Sequence, residues 1–121
     1  MTERNEVGKI YERPWGNYKT LSLEKGYRVK ILTVNPSGQL SLQKHQHRSE
    51  HWVIVAGEPT ITIEESVETH HANESFFVPK GTLHRIENFT KKTVVIVEVQ
   101  VGDYLGEDDI IRYADVYGRD G

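Results

Sequence analysis

Short runs of apolar and β-branched residues follow one another along the chain, and Gly, Pro and Asn residues separate them. Runs rich in Val, Ile, Thr, Tyr and Phe that alternate with polar residues are typical of β-strands. We place strands at 17–23, 27–34, 39–45, 51–56, 59–64, 75–78, 83–88 and 93–101. Short strands with regularly spaced turns predict an all-β fold, either a sandwich or a closed barrel.

The pattern changes after Gly102, where acidic residues replace the alternating strands. Segment 107–112 predicts a short helical turn, because its acidic residues would lie at the positive end of the turn. We therefore expect a single domain over 1–121, with a β core over about 11–101 and a C-terminal flap over 102–121.

Composition narrows the classes of function. The formal net charge of -3 over 121 residues gives no bulk attraction to nucleic acid or to an anionic membrane. The absence of cysteine excludes disulfide frameworks, thiolate metal ligands and thiol nucleophiles. Residues 1–9 lack the apolar core of a signal peptide, and the longest apolar run, 94–97, is too short to cross a bilayer. We expect a cytoplasmic protein.

One face of the strand predicted over 39–45 is polar and continues beyond it: Ser41, Gln43, His45 and His47. Buried polar groups need partners, and a metal ion is an efficient partner for several at once. A turn at 48–49 would bring Glu50 or His51 toward the same interior, and His84 follows a second turn at 79–81. Nitrogen and carboxylate ligands without sulfur suit zinc, iron, nickel or manganese.

Two motifs in these segments resemble those of the cupin family. The second cupin motif, Pro-x-Gly-x-x-His-x-x-x-Asn, matches without a gap at Pro79, Gly81, His84 and Asn88. The first begins with His-x-His and matches when glutamine takes the place of the first histidine: Gln43, His45, Glu50 and Gly57. The resemblance implies a double-stranded β-helix, the cupin jelly-roll barrel.

The resemblance also implies a divalent metal ion held by Gln43, His45, Glu50 and His84. Zinc is the first choice, and iron, nickel, manganese and cobalt are alternatives. A competing register pairs His45 with His47 and adds His51, which keeps three histidines but loses the spacing from glutamate to glycine. In the first register, His47 and His51 would instead orient the ligands.

Segments within and beyond the motifs resemble the C-terminal cupin domain of type II mannose-6-phosphate isomerase/mannose-1-phosphate guanylyltransferase. They lie between residues 11 and 119 and include 13–16, 40–43, 48–52, 84–88, 98–100, 102–112 and 115–119. In that family the domain usually follows a guanylyltransferase domain, and nothing in this sequence resembles the glycine-rich start of a nucleotidyltransferase. The resemblance implies a metal-dependent aldose–ketose isomerase that interconverts mannose 6-phosphate and fructose 6-phosphate.

An isomerase needs an acid or base beside the metal and cations for the phosphate. Candidate acids and bases are Lys30, His47 and Glu98, although alternation alone does not show which face of their strands points inward. Arg85 and Arg119 are the candidate phosphate ligands, with Lys30 as a further substrate contact, because a planar guanidinium suits phosphate. Arg85 would also serve catalysis.

Two other functions remain open. One is a non-catalytic, metal-containing cupin that binds a sugar or sugar phosphate, in partnership with a separate guanylyltransferase. The other is a different cupin reaction, such as epimerisation or the oxidation carried out by a dioxygenase. We also expect a homodimer, because β-barrels of this size often pair their edge strands.

Overall fold

The computed structural model describes residues 6–118, which form two antiparallel sheets. The strands in chain order are β1 (Ile10–Arg13), β2 (Gly16–Glu24), β3 (Tyr27–Val34), β4 (Leu42–Lys44), β5 (Arg48–Ala56), β6 (Thr60–Ile63), β7 (Ser66–Thr69), β8 (Ser75–Val78), β9 (His84–Glu87), β10 (Val94–Gly102) and β11 (Ile111–Ala114). Over 6–118, no helix has the length and apolar character needed to cross a membrane. The predicted all-β class is confirmed, although β1, β7 and β11 were not predicted.

The sheets join strands that are distant in sequence, as in a jelly roll. The six-stranded sheet has the order β1-β2-β3-β10-β5-β8, and the five-stranded sheet has the order β11-β4-β9-β6-β7. Strand β10 lies between β3 and β5, so that Glu98 is opposite Lys30 on one side and Trp52 on the other. The middle of the larger sheet is therefore built from three separate parts of the chain.

The inner face of the six-stranded sheet is divided along its strands. At one end, Val34 pairs with Val94 and Leu32 pairs with Ile96, and all four side chains are buried in the apolar core. Further along the same two strands, the inward residues become polar. This second half of the inner face, which also includes Arg28 and Gln100, forms the wall of the site described below.

The predicted helical turn over 107–112 is wrong. Ile111–Ala114 forms β11, which pairs with β4 at the edge of the five-stranded sheet. The acidic residue Glu107 lies inside the barrel, where its carboxylate is 2.7 Å from Arg28 Nη1 and 3.1 Å from Lys30 Nζ. Buried cations need anionic partners, and this requirement decides the conformation of the segment more strongly than a helix dipole does.

Two residues of the cupin motifs have structural roles. Gly57 follows β5 with a φ of +86°, and a Cβ atom there would lie 2.8 Å from the Thr93 carbonyl oxygen. Only glycine fits both the left-handed conformation and this close approach. Asn88 is completely buried, and its side-chain amide donates to the carbonyl oxygens of Val34 and Lys92 at 3.1 and 2.8 Å. It ties the loop after β9 to the neighbouring strands.

Candidate metal centre

Three of the four predicted metal ligands converge between the two sheets. His45 follows β4, Glu50 lies in β5 and His84 begins β9, and all three are buried. Each of these residues offers one ligand atom, and the three ligand atoms lie no more than 4.8 Å from one another. His45 Nε2 is 3.3 Å from Glu50 Oε2. The arrangement brings two imidazole nitrogens and a carboxylate oxygen to one point.

Backbone carbonyl groups fix the orientation of both imidazole rings. His45 Nδ1 lies 2.6 Å from the Asp109 carbonyl oxygen, and His84 Nδ1 lies 3.0 Å from the Thr82 carbonyl oxygen. Because a carbonyl only accepts, each Nδ1 carries the proton and each Nε2 keeps a lone pair for a metal. Burial lowers the pKa of His45 to about 4 and also lowers the pKa of His84. Both rings are therefore neutral at physiological pH, as metal ligation requires.

Glu50 is ionised and completely desolvated. Trp52 Nε1 donates to Glu50 Oε1 at 2.8 Å, and Arg48 Nε donates to Glu50 Oε2 at 2.7 Å. Burial alone would raise the pKa of Glu50, but the Arg48 guanidinium outweighs it, followed by the positive charge that His45 and His84 carry only at low pH, and this pKa is held well below its usual value. The group is thus a carboxylate ready to bind a cation.

This donor set fits a divalent transition metal. Two histidines and one glutamate are ligands that zinc takes in catalytic sites, with further positions open to other groups. Gln43 lies opposite His84 in the sheet, and its Nε2 donates to Ser41 Oγ at 3.1 Å, which leaves its Oε1 as the atom suited to a cation. Arg48 Nη2 lies 3.3 Å from His45 Nε2, so metal binding at that nitrogen requires the guanidinium to shift.

A pocket opens beside this cluster and is rich in charge. Its basic lining residues are Arg13, Lys30, Arg48, Arg85 and Arg112, and its acidic lining residues are Glu50, Glu98 and Glu107. Five cations against three carboxylates leave a formal excess of two positive charges before any metal is counted. Gln43, His45 and His84 line the same pocket. The pocket is therefore suited to an anionic ligand.

Lys30 and Glu98 both point into the pocket, on opposed positions of β3 and β10. Burial, followed by the nearby Glu50 charge, raises the pKa of Glu98 to about 7. Gln100 Nε2 donates to Glu98 Oε1 at 2.6 Å. Lys30 Nζ lies 4.1 Å from the centre of the Tyr18 ring. The inward face that alternation left undecided is thus the face of Lys30, Glu98 and Gln100.

Other predicted site residues lie elsewhere. The His47 side chain is exposed and meets Tyr104 edge-on at 5.8 Å between ring centres, so it is not part of the pocket. His51 is exposed on the opposite face of β5, with its ring 4.8 Å from that of Phe77. The competing register, which needs both residues, does not converge. Arg119 lies outside the described residues.

Three residues at the site were missed by sequence reasoning: Arg48, Glu107 and Asp109. Asp109 is buried, and its two carboxylate oxygens accept the backbone N–H groups of Gln46 and His47 at 2.9 and 3.0 Å. We call segment 103–110 the strap, because Glu107 attaches it to β3 and Asp109 attaches it to the loop between β4 and β5. The sequence contained one signal for these residues. Acidic residues cluster after Gly102, and the basic residues within the strands would need acidic partners if they were buried.

Residues 2–115 match the family described as Mannose-6-phosphate isomerase C-terminal. The xanthan biosynthesis protein XanB of Xanthomonas campestris is 46% identical over 111 residues, which cover 92% of this chain and 24% of that protein. The mannose-1-phosphate guanylyltransferase of Escherichia coli K12 is 46% identical over 115 residues, which cover 95% of this chain and 24% of that protein. The chain spans about a quarter of the length of the curated relatives it matches.

Solved structures show the same fold at low sequence identity. The oxalate decarboxylase of Lactobacillus farciminis, in a formate complex, has a TM-score of 0.73 at 18% identity, over 86% of this chain and 33% of that chain. An RmlC-like cupin from Shewanella frigidimarina has a TM-score of 0.72 at 17% identity, over 88% of this chain and 96% of that chain. The predicted cupin double-stranded β-helix is confirmed.

The predicted activity, interconversion of mannose 6-phosphate and fructose 6-phosphate by this chain alone, is wrong. The relatives are named as guanylyltransferases or as xanthan and alginate biosynthesis proteins, and this chain corresponds to a minor part of each. Two of these relatives are mannose-1-phosphate guanylyltransferases, which are transferases and not isomerases. The match over residues 2–115 nevertheless defines the family: the chain belongs to the mannose-6-phosphate isomerase C-terminal family of cupin domains.

Proposed function

We propose that this chain is a metal-binding cupin domain that binds a sugar phosphate in its pocket and works beside a guanylyltransferase. The observation that carries the proposal is the convergence of His45, Glu50 and His84 at the wall of a cation-rich pocket. Mannose 1-phosphate is the first candidate ligand, because relatives are named for acting on it. The homodimer, the cytoplasmic location and the single-domain organisation stay predictions.

The metal would be held by the His45 and His84 imidazoles, the Glu50 carboxylate and the Gln43 amide oxygen. Zinc fits this set best, and iron, nickel, manganese or cobalt also accept nitrogen and oxygen ligands. When bound, the ion supplies a Lewis acid that attracts hydroxyl or carbonyl oxygens of a sugar. The chain's own residues fix the ring orientations and keep both histidines neutral.

Arg85 is the best-placed residue for the phosphate. Its Nε donates to the Leu40 carbonyl oxygen at 3.1 Å, which fixes the direction of the guanidinium. Its Nη2 is buried and has no hydrogen-bond partner within residues 6–118. A buried donor without a partner is unfavourable, and a phosphate oxygen would satisfy it. Lys30 and Glu98 line the same pocket and would contact the sugar hydroxyl groups.

Calorimetric titration of the zinc-loaded chain with mannose 1-phosphate, mannose and inorganic phosphate tests this function. We expect the sugar phosphate to bind more tightly than either fragment, and a chelator to weaken the binding at least about tenfold. Arg85→Gln should remove the advantage of the sugar phosphate over mannose and leave the metal content unchanged. Lys92→Gln, which changes an exposed residue outside this pocket, is the matched control.

His84→Ala should abolish stoichiometric metal binding while the far-UV circular dichroism spectrum is retained. Two results would contradict the proposal. One is sugar-phosphate binding that is equally tight with and without metal, and the other is full metal occupancy in His84→Ala. If mannose and mannose 1-phosphate bind equally, the assignment of Arg85 to a phosphate is refuted even where the metal site stands.

A further inference from the structure

The strap connects the two sheets but belongs to neither. It follows β10 of the six-stranded sheet and precedes β11 of the five-stranded sheet, and none of residues 103–110 lies in a strand. A turn closes within it, where the Asp109 N–H donates to the Gly106 carbonyl oxygen at 3.2 Å. Segments outside a hydrogen-bonded ladder open more readily than strands do. The strap therefore keeps its place through the contacts that its side chains and carbonyl groups make with the barrel.

The first attachment of the strap is to two cations on β3. The Glu107 carboxylate lies 2.7 Å from Arg28 Nη1 and 3.1 Å from Lys30 Nζ. Arg28 Nη1 also donates to the Leu105 carbonyl oxygen at 3.2 Å. Lys30 and Glu107 both line the pocket beside the metal ligands. This attachment is therefore part of the pocket wall.

The second attachment holds the loop that carries His45. The Asp109 carbonyl oxygen accepts from His45 Nδ1 at 2.6 Å. The Asp109 carboxylate accepts the backbone N–H groups of Gln46 and His47 at 2.9 and 3.0 Å. A single buried residue of the strap thus accepts hydrogen bonds from three consecutive residues of the loop. These contacts fix both the path of the loop and the orientation of the His45 ring.

The other histidine of the metal site is oriented locally. His84 Nδ1 donates to the Thr82 carbonyl oxygen, two residues earlier, at 3.0 Å. The acceptor for His45 instead lies 64 residues away, on the strap. When the strap opens, His45 loses this acceptor and either of its ring nitrogens can carry the proton, whereas His84 keeps its acceptor. The metal site therefore needs a closed strap for one of its two imidazoles.

We propose that the strap positions the metal site: Asp109 sets the affinity for a divalent metal by holding His45, and a bound metal in turn keeps the strap closed. This inference rests on the metal site of the proposed function. Because the site binds a metal better when the strap is closed than when it is open, the two events favour each other by the same factor. Glu107 belongs to the same segment, so its loss should weaken metal binding although its carboxylate contacts Arg28 and Lys30 and is not a proposed ligand.

Competition with a chromophoric chelator measures the zinc affinity of the complete chain, after circular dichroism has shown that each variant is folded. Asp109→Asn keeps the size of the side chain but leaves one oxygen for two N–H groups, so we expect the zinc dissociation constant to rise at least about tenfold. Asp108→Asn makes the same change at the exposed neighbouring residue and should alter the constant less than about twofold. Glu107→Gln, at the other attachment, should raise it at least about fivefold.

The ¹⁵N chemical shifts of the imidazole nitrogens in the metal-free chain distinguish positioning of His45 from a general loss of stability. In the wild-type chain, we expect the proton on Nδ1 in both His45 and His84. In Asp109→Asn, His45 should populate both tautomers, whereas His84 should keep the proton on Nδ1 because Thr82 still accepts it. A general loosening of the fold would change both rings.

Hydrogen exchange measures the coupling in the reverse direction. At a zinc concentration about 100 times the dissociation constant, exchange of the strap amides should slow at least about tenfold. Amides of β7, at the opposite edge of the five-stranded sheet from β11, should keep their rate.

Three results would overturn the proposal: equal zinc affinity in Asp109→Asn and Asp108→Asn, an unchanged His45 tautomer in Asp109→Asn, or strap exchange that zinc does not slow. A wild-type chain that binds no zinc would refute the proposed function itself. In that case the His45 tautomer in Asp109→Asn would still show whether the strap positions the ring, so the two failures are distinguishable.

Discussion

The six-stranded sheet carries charged side chains on its inner face, whereas most sheets carry them on the face that water covers. Its inner face carries Arg28, Lys30, Arg48, Glu50 and Glu98, all buried, whereas the outward positions of β3, β10, β5 and β8 carry no Asp, Glu, Lys or Arg. In most sheets with one face in water, the apolar side chains point inward. Here only the half of the inner face that lines the site is polar, and the other half belongs to the apolar core.

The inner charges are tolerated because they pair with one another. Arg28 donates to Thr20 Oγ1 and to the Leu105 carbonyl oxygen, and it contacts Glu107. Burial alone would raise the pKa of Glu107, but Lys30 and Arg28 outweigh burial and lower it. Such networks do not stabilise a fold beyond what an apolar core would, but removal of one member is strongly destabilising. Removal of a charged group from the inner face should therefore destabilise the fold more than a substitution on the outer face.

Glu107→Gln should produce the largest change of stability. It keeps the shape of the side chain but removes the carboxylate that Arg28 and Lys30 both contact. We expect the free energy of unfolding, measured with urea, to fall by about 3–5 kcal/mol, as when one partner of a buried ion pair is removed. Glu58→Gln is the matched control, because Glu58 is exposed and lies 3.8 Å from the exposed His71, and it should cost less than about 1 kcal/mol. Equal effects would contradict the ion-pair account.

Glu98→Gln should change the pH dependence of stability in the metal-free chain. A carboxyl group with a pKa of about 7 in the fold and about 4.5 when unfolded binds more protons in the folded state between these values. Its contribution is therefore present at low pH and is lost as pH rises from about 4.5 to about 7. The variant should become more stable relative to wild type across this range, by up to about 3 kcal/mol.

His45 acts in the opposite direction over nearly the same range. Its pKa is about 4 in the fold and 6.5 in the unfolded chain, so stability rises as pH rises from about 4 to 6.5. The lowered pKa of His84 adds to this rise, so we expect the wild-type curve to rise less steeply than the curve of Glu98→Gln, measured by urea unfolding at each pH. Parallel curves would show that Glu98 titrates normally. Glu24→Gln, at the exposed end of β2, is the control and should give a curve parallel to wild type.

The features that the sequence predicted are those with a local pattern. Alternation with a period of two residues predicted the longer strands, and the cupin motifs predicted that His45, Glu50 and His84 lie together, as their ligand atoms do. Alternation could not show that the charged face of β3 and β10 is the inner one, because either face of a strand can be buried. Knowledge of the partner strands is needed for that decision.

The strap shows why contacts between distant parts of the chain could not be predicted from the sequence. Acidic residues at 107–109 are locally typical of a helix N-terminus, but the Glu107 carboxylate meets Lys30 across a separation of 77 residues. Asp109 likewise binds the backbone of His47 at a separation of 62 residues. No local pattern encodes such contacts, and the charge balance of the pocket appears only when distant strands are assembled.

Substitution of the two exposed histidines should have the smallest effect. His47→Asn and His51→Asn change side chains that lie outside the pocket, and His51 belongs to the outer face of β5. We expect the free energy of unfolding of the monomer to change by less than about 0.5 kcal/mol and zinc stoichiometry to stay the same. Elemental analysis after dialysis measures the stoichiometry. Loss of zinc from either variant would support the register that uses His45, His47 and His51, and it would contradict the assignment of Glu50 and His84 to the metal.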